Sequence, residues 1–373
     1  MYGKISKVLL ILTMLFFTHN NYAFVNASEE IPGGENSTHE SAGHGEEAGK
    51  FNPGDFMFDH IKDAHEWHIL TWGKTHVSIP LPVILYSKNS GFNVFMSSKF
   101  EHGHASYKGF RLETSGENKG KILEEDGTKP LDISITKNIA AMFFSIILIL
   151  WIFVSVGKKY HENPLRAPSG LQSFVEPVVV FLRDEVIEPA IGPKYEKYMP
   201  YLLSVFFFIW INNMLGLIPL PPGGANLTGN IAVTMTLALF TFVITNISGN
   251  ANYWKHIFNT PGVPLWLKLP IPLMPFVEFL GVFTKPLVLM IRLFANITAG
   301  HIIVLGFISL IFIFSEMSTG LAYGVSLVSI AFNIFITIIE LLVAFIQAFV
   351  FTFLSAIYIG LAVEEHHEKP DHA

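Results

Sequence analysis

Two long apolar stretches, residues 275–314 and 321–363, hold the side chains best suited to chemistry. They contain five acidic or basic residues: Glu278, Lys285, Arg292, His301 and Glu340. An arginine at the centre of a membrane helix costs about 2.5–3.5 kcal/mol on insertion scales. Arg292 has apolar neighbours on both sides, which indicates a functional role. Lys285 lies nearer one end, so a structural ion pair or a side chain reaching the interface remains an alternative there.

Helical spacing sorts these side chains onto faces, because seven residues return to nearly the same face and nine reach the opposite one. Lys285, Arg292 and Asn296 therefore share a face, and His301 points away from Arg292. The second stretch carries a polar stripe at similar spacing: Asn333, Glu340, Gln347 and Tyr358. A polar stripe on a membrane helix lines either water or another polar helix.

The residue types indicate two different kinds of proton chemistry. Arginine does not lose its proton in proteins, so Arg292 is a fixed positive charge that favours the ionised form of a nearby carboxyl. It suits an electrostatic gate. Histidine and glutamate, with reference pKa values of roughly 6.5 and 4.3, can exchange protons with water. His301 and Glu340 therefore suit a proton relay.

The composition excludes several classes of protein. Apolar residues make up 51% of the 373 residues, charged residues 14%, and the mean hydropathy is +0.45, values typical of a membrane protein. The net charge of −6 is too dispersed for a nucleic-acid partner. No cysteine and no phosphate-binding loop occur. His65 and His68 lack a third ligand at diagnostic spacing, so we expect no metal and no cofactor.

The N-terminal third is expected to be exported. Lys4 and Lys7 precede a short apolar run, and a small-residue cleavage site follows, which predicts a signal peptide over residues 1–27. The run is about half the length of a membrane span, and an uncleaved anchor is the alternative. Residues 28–135 are polar, with an acidic start and short β-type runs. They predict a small β-rich periplasmic extension.

The remaining chain predicts an all-α integral membrane protein over residues 136–363, followed by a cytoplasmic tail, 364–373. Lys158, Lys159 and Arg166 follow the first apolar run and indicate that this end is cytoplasmic. We expect about five transmembrane helices, the last two long and tilted, at 139–156, 201–220, 231–247, 275–314 and 321–363. The amphipathic pattern of 170–191 predicts an interfacial helix before the second crossing.

Three motifs in this region resemble those of one known family. They are Asn212-Asn213-Met214-Leu215-Gly216-Leu217-Ile218-Pro219, Lys285-Pro286 followed by Ile291-Arg292-Leu293-Phe294-Ala295-Asn296-Ile297-Thr298-Ala299-Gly300-His301, and Glu340-Leu341-Leu342-Val343-Ala344-Phe345-Ile346-Gln347-Ala348-Phe349. Together they resemble the a subunit of F-type ATP synthases. The resemblance covers residues 140–363, and residues before 136 match nothing general in that family.

The resemblance implies a role for each matching residue. Arg292 would face the ring of c subunits and separate two half-channels. His301 and Glu340 would form the polar pair of the proton path, in the order found in mitochondrial relatives. Gln347 would lie beside the arginine, and the path would also include Asn296, Glu278, Asn230 and Tyr358. Thr228-Gly229-Asn230 replaces a stretch where many relatives carry an acid.

The expected function is therefore that of a proton-conducting stator subunit, non-catalytic itself, in a rotary ATP synthase of a bacterial inner membrane. Its expected partners are the c-subunit ring, the b subunits of the peripheral stalk, other synthase subunits, membrane lipid and protons. The N-terminus would be periplasmic and the C-terminus cytoplasmic. A secondary transporter and a non-conducting scaffold are the alternatives, and the coupling ion could be H⁺ or Na⁺.

Overall fold

The computed structural model describes residues 52–72, 75–114, 116, 118–162, 167–218, 221–258 and 273–364. The predicted signal peptide, the acidic start of the extension and all but the first residue of the tail lie outside this range. The chain divides into two compact units. One contains residues 62–140, and the other contains residues 53–61 and 141–373.

The first unit contains short antiparallel strands, as expected for the extension. The strands are β1 (Glu66–Trp72), β2 (Thr75–Pro80), β3 (Pro82–Ser87), β4 (Gly91–Met96), β5 (Phe110–Leu112), β6 (Ile122–Glu124) and β7 (Leu131–Asp132). They form two hairpins, β1–β2 and β5–β6, and a three-stranded sheet in the order β4–β3–β7. Alternation along β3 buries Val83 and Leu85 completely, and they pack with Phe100, Phe110 and Ile122.

Asp132 of β7 is held by contacts with His65 and with the backbone of Ser134. His65 Nε2 lies 2.8 Å from Asp132 Oδ2, and the backbone N–H of Ser134 donates to Asp132 Oδ1 at 2.9 Å. Burial acts to raise the pKa of the Asp132 carboxyl, but these hydrogen bonds outweigh it and leave that pKa below its ordinary value. His65 of the sequence pair is thus engaged within the unit.

The second unit is helical. Its elements are α1 (Pro53–Ile61), α2 (Lys137–Glu162, whose first turn belongs to the other unit), α3 (Leu171–Phe181), α4 (Glu188–Ile191), α5 (Tyr195–Leu217), α6 (Ile231–Ser248), α7 (Ala251–Phe258), α8 (Leu273–Met317) and α9 (Thr319–Val363). A π-helical turn, Leu182–Ile187, joins α3 to α4, and a 3₁₀ turn, Gly192–Lys194, joins α4 to α5.

Five helical segments within the described residues are long and apolar enough to cross a membrane. They are Lys137–Glu162, Leu171–Leu217, Ile231–Ser248, Met274–Met317 and Thr319–Val363. The predicted fold class, an all-α membrane protein with a small strand-containing N-terminal region, is confirmed. The predicted interfacial helix and second crossing are nearly continuous in the structure. Gly192, with φ of 73°, separates them, because glycine adopts positive φ without strain.

Helices α8 and α9 each contain 45 residues. At 1.5 Å per residue, such a helix is about 67 Å long. The hydrocarbon core of a bilayer is only about 30 Å thick, so neither helix can stand upright in it. Only Ser318 separates the two helices, which pack against each other. Helix α9 also packs against α5, and α8 packs against α6, around a buried cluster that includes Leu202, Ile209, Leu293 and Ile359.

Candidate functional site

His301 and Glu340 meet where α8 packs on α9. His301 Nδ1 lies 3.8 Å from Glu340 Oε1, and the two side chains are 18% and 12% exposed. The two residues are 39 positions apart in sequence, and the antiparallel return of α9 along α8 brings them together. When the imidazole is protonated, this contact is an ion pair in a partly desolvated place. At 3.8 Å the two groups are too far apart for a hydrogen bond, but a small side-chain movement would bring them within the roughly 2.6–3.2 Å that direct proton transfer requires.

Gly300 makes room for the Glu340 side chain. A Cβ atom on Gly300 would collide with Glu340 Oε1 and would lie 3.2 Å from the carboxyl carbon. Only a residue without a side chain therefore lets the carboxylate lie against this turn of α8. The glycine next to His301 is thus part of what brings the acid to the histidine.

A buried hydrogen-bonded bridge determines how α9 presents Glu340. The Asn213 side-chain amide on α5 donates to the backbone carbonyl of Ala344 at 3.2 Å, one helical turn beyond Glu340. The Thr228 hydroxyl donates in turn to Asn213 Oδ1 at 2.6 Å. Asn213 is 3% exposed and Thr228 is 1% exposed. Satisfied buried polar groups of this kind specify a single arrangement of the helices.

The sequence assigned no role to these two residues. Asn213 is part of the first motif, and Thr228 is part of the stretch that differs from the family pattern. The sequence signal for Asn213 was an amide side chain within an apolar helix. Such a side chain needs a hydrogen-bond partner when it is buried. Gly216, from the same motif, lies beside the histidine: a Cβ there would be 3.8 Å from His301 Nε2.

Arg292 lies on an exposed surface of α8. Among the described residues it has no hydrogen-bond or ion-pair partner. Asn296, one turn further along, is exposed on the same surface, as predicted from the spacing. The structure therefore separates the arginine, which faces outward, from the partly buried histidine. A permanent charge in a membrane span without an internal partner requires a counter-charge from elsewhere.

The polar stripe of α9 faces the protein interior. Gln347 is buried, and Asn333, Glu340 and Tyr358 are partly buried, whereas Ile338 between them is 63% exposed. Gln347 is therefore placed inside the helix packing. The stripe predicted from sequence thus coincides with the side of α9 that packs on other helices.

Tyr358 lies at the α9 side of a small cavity lined by both apolar and polar side chains. Lys285 Nζ is 5.5 Å from the centre of its ring. The cavity has a volume of about 20 Å³, enough for one water, and Thr245 and Asn246 of α6 also line it. Each of those two carries a buried oxygen without a partner in the structure. A water there would satisfy both.

Two other predicted path residues have different surroundings. The Asn230 side chain caps the N-terminus of α6, where its oxygen accepts the Ala232 N–H at 2.9 Å. Its amide oxygen is therefore occupied by the backbone. Glu278 is partly buried near the start of α8. The structure brings neither residue into contact with the His301–Glu340 pair among the described interactions.

Known protein families and relatives match both parts of the chain. The family described as ATP synthase A chain matches residues 139–360, and a domain family of unknown function matches residues 56–140. ATP synthase subunit a of Chlorobium phaeobacteroides is 38% identical over 361 residues, covering 95% of this chain and 87% of the relative. The subunit a of Pelodictyon phaeoclathratiforme is 46% identical over 247 residues, covering 64% and 68% respectively.

A further relative comes from another organism. ATP synthase subunit a of Myxococcus xanthus is 42% identical over 248 residues, which cover 65% of this chain and 77% of the relative. The family match spans more than half of the chain and contains all three sequence motifs as well as the site just described. The chain therefore belongs to the ATP synthase subunit a family.

Proposed function

We propose that the chain offers two half-channels to a ring of c subunits and that Arg292 separates them. Family membership makes the chain a non-catalytic, proton-translocating subunit of the synthase membrane sector that associates with other synthase subunits. The proposal adds the path that the proton takes and the residues that form it. It rests chiefly on Arg292, a permanent charge exposed on a membrane-spanning helix with no partner among the described residues.

The proposed counter-charge is the carboxyl of a c subunit. Arg292 favours its ionised form, so the proton leaves each arriving carboxyl and cannot pass straight across. His301 and Glu340 relay protons on one side of the arginine, and Gln347 and Asn296 belong to the surroundings of the path. Tyr358, Glu278 and Asn230 line the access routes. The water-sized cavity beside Tyr358 supports a wet path there.

The same cavity weighs against a secondary transporter. At about 20 Å³ it holds one water and is too small for an organic anion. Arg292 lies on an outer surface and is not among the residues that line this cavity. Transport energetics also favour a rotor: each charge crossing 100 mV yields about 2.3 kcal/mol, so several protons must contribute to one ATP.

Purification in mild detergent tests the partner assignment. A tagged chain should bring down a c ring and the b subunits of a peripheral stalk in stable amounts. The Leu287→Ala variant, altered at an exposed apolar position of α8, serves as a control that should retain both partners. Isolation of the tagged chain without any c ring would contradict the proposed function.

We further propose the orientation and domain limits predicted from the sequence. Residues 1–27 are a signal peptide, residues 28–135 a periplasmic extension, residues 136–363 the proton-channel domain, and residues 364–373 a cytoplasmic tail of an inner-membrane protein. The lysines after the first span support this orientation.

Cysteine labelling tests this orientation cleanly, because the chain contains no cysteine of its own. A membrane-impermeant thiol reagent should label Ser90→Cys in intact cells and should label Ala373→Cys only after the membrane is opened. Labelling of position 373 in intact cells would overturn the five-crossing arrangement.

A further inference from the structure

The sheet β4–β3–β7 carries apolar side chains on both of its faces. One face packs the core through Val83 and Leu85. On the other, cross-strand register places Tyr86 opposite Phe92. An antiparallel sheet that has one face in water normally carries polar residues there.

We call this second face the outer face, defined by five exposed side chains: Tyr86, Phe92, Val94, Met96 and Ile133. Phe92 is 66% exposed and Val94 is 52% exposed. No member of the outer face carries a charge. A contiguous exposed apolar patch of this kind marks an interaction surface.

Hydrogen bonds join this sheet to the start of the first membrane helix. The ladder continues beyond β7, with Ile133 N–H donating to Ile84 O at 2.9 Å and Ile135 N–H donating to Pro82 O at 3.0 Å. Two residues later α2 begins, and Lys137 N–H donates to Ala64 O at 2.9 Å. All these residues belong to one compact unit. The sheet is therefore held at the point where the chain enters the membrane.

The strand ends nearest that point can be identified. Pro82, which accepts from Ile135, pairs with Met96 on β4. Phe92 lies at the other end of β4, about 13 Å further along at 3.3 Å per residue. A sheet standing on end would thus bring Met96 to the membrane and leave Phe92 in water. A sheet lying flat would bring both to it.

We propose that the outer face lies flat on the lipid surface. Aromatic and aliphatic side chains without charge are suited to the boundary between headgroups and acyl chains. Lys88 directly follows β3 and Lys129 precedes β7, and both are exposed, where they can reach lipid phosphates. The bilayer thereby covers the apolar face and fixes the position of the extension.

Quenching in reconstituted vesicles tests this arrangement. Phe92→Cys, Val94→Cys and Met96→Cys are made separately in the cysteine-free chain, labelled with a fluorophore, and reconstituted as the complete complex. Glu125→Cys, an exposed position outside the outer face, is the matched control. Bromine-labelled acyl chains should quench the probes at 92, 94 and 96 about twofold more than the control probe, because the outer face would lie at a depth of about 5–10 Å. Iodide in the aqueous phase should quench these three probes less than the control.

Each alternative arrangement of the sheet predicts a different quenching pattern. Strong iodide quenching at all positions would show that the face is in water, and lipid quenching at 96 alone would show a sheet standing on end. Shielding from both quenchers would show that protein covers the face. Any of these overturns the proposal. Retained ATP-driven pumping verifies the fold of each variant, and Ile133→Cys gives the same readout without altering β4.

Discussion

Arg292→Ala should abolish ATP-driven proton pumping and proton-driven ATP synthesis together, while the complex still assembles. The loss of a charge that costs about 2.5–3.5 kcal/mol to insert will not impair membrane insertion. It will remove the only permanent charge on the exposed surface of α8 around this position among the described residues. On the proposed mechanism, a c-subunit carboxyl that meets no positive charge at this position would no longer be driven to release its proton.

A lysine variant tests whether the positive charge alone is sufficient or whether the guanidinium geometry is also required. Arg292→Lys keeps a positive charge but loses the rigid guanidinium fork, and a desolvated lysine can give up its proton. We expect this variant to assemble without coupling. Small uncharged replacements should additionally let protons leak passively through the sector, measured as decay of a pH gradient in vesicles.

The control for Arg292 is Leu287→Ala on the same helix, which changes an exposed apolar side chain and should retain pumping. Near-normal proton-driven ATP synthesis by Arg292→Ala would show that the residue is not the gate. Equal loss in the Leu287→Ala control would indicate a general defect of α8 instead.

The second large effect concerns the His301–Glu340 pair. His301→Leu and Glu340→Leu should each slow coupled proton flow and leave the complex assembled, because the proposed function gives both residues a relay role and neither the role of blocking leakage. With 3.8 Å between them, the two should also be energetically coupled. The double exchange, Glu at 301 and His at 340, should therefore retain more activity than either single exchange. A double exchange no better than the worse single one would refute the pairing.

Gly300 provides an independent test of the same contact. Gly300→Ala introduces a Cβ where the Glu340 carboxylate lies, so the carboxylate must swing away from His301. Proton flow should fall although both titratable residues remain. Gly306→Ala is the matched control, because a Cβ there meets nothing within 4 Å. Equal pumping by the two alanine variants would mean that Glu340 works from another position.

The sequence was sufficient for the membrane fold and for the identity of the charged candidates. Long apolar runs and the rarity of charge within them are local properties, and they predicted five spans that the structure confirms. The exact start of the second span was not predictable. Residues 171–217 form a nearly continuous helical run, and the interruption at Gly192 depends on its backbone conformation, with φ of 73°.

Helical periodicity also predicted which residues share a face. It placed Arg292 and Asn296 together and His301 apart, and it predicted the polar side of α9. Periodicity acts within one helix because each residue turns the chain by a fixed angle. It carries no information about which residues of two different helices meet.

The contact between His301 and Glu340 was decided by tertiary structure. It depends on the offset of α9 along α8, on the absence of a side chain at Gly300, and on the hydrogen bond from Asn213 to Ala344. The sequence by itself determined that an arginine, a histidine and an acid lie within membrane helices, because apolar runs surround them. Only packing between helices determined that the acid and the histidine adjoin and that the arginine faces outward, because side-chain contacts between distant segments depend on how complete helices fit together.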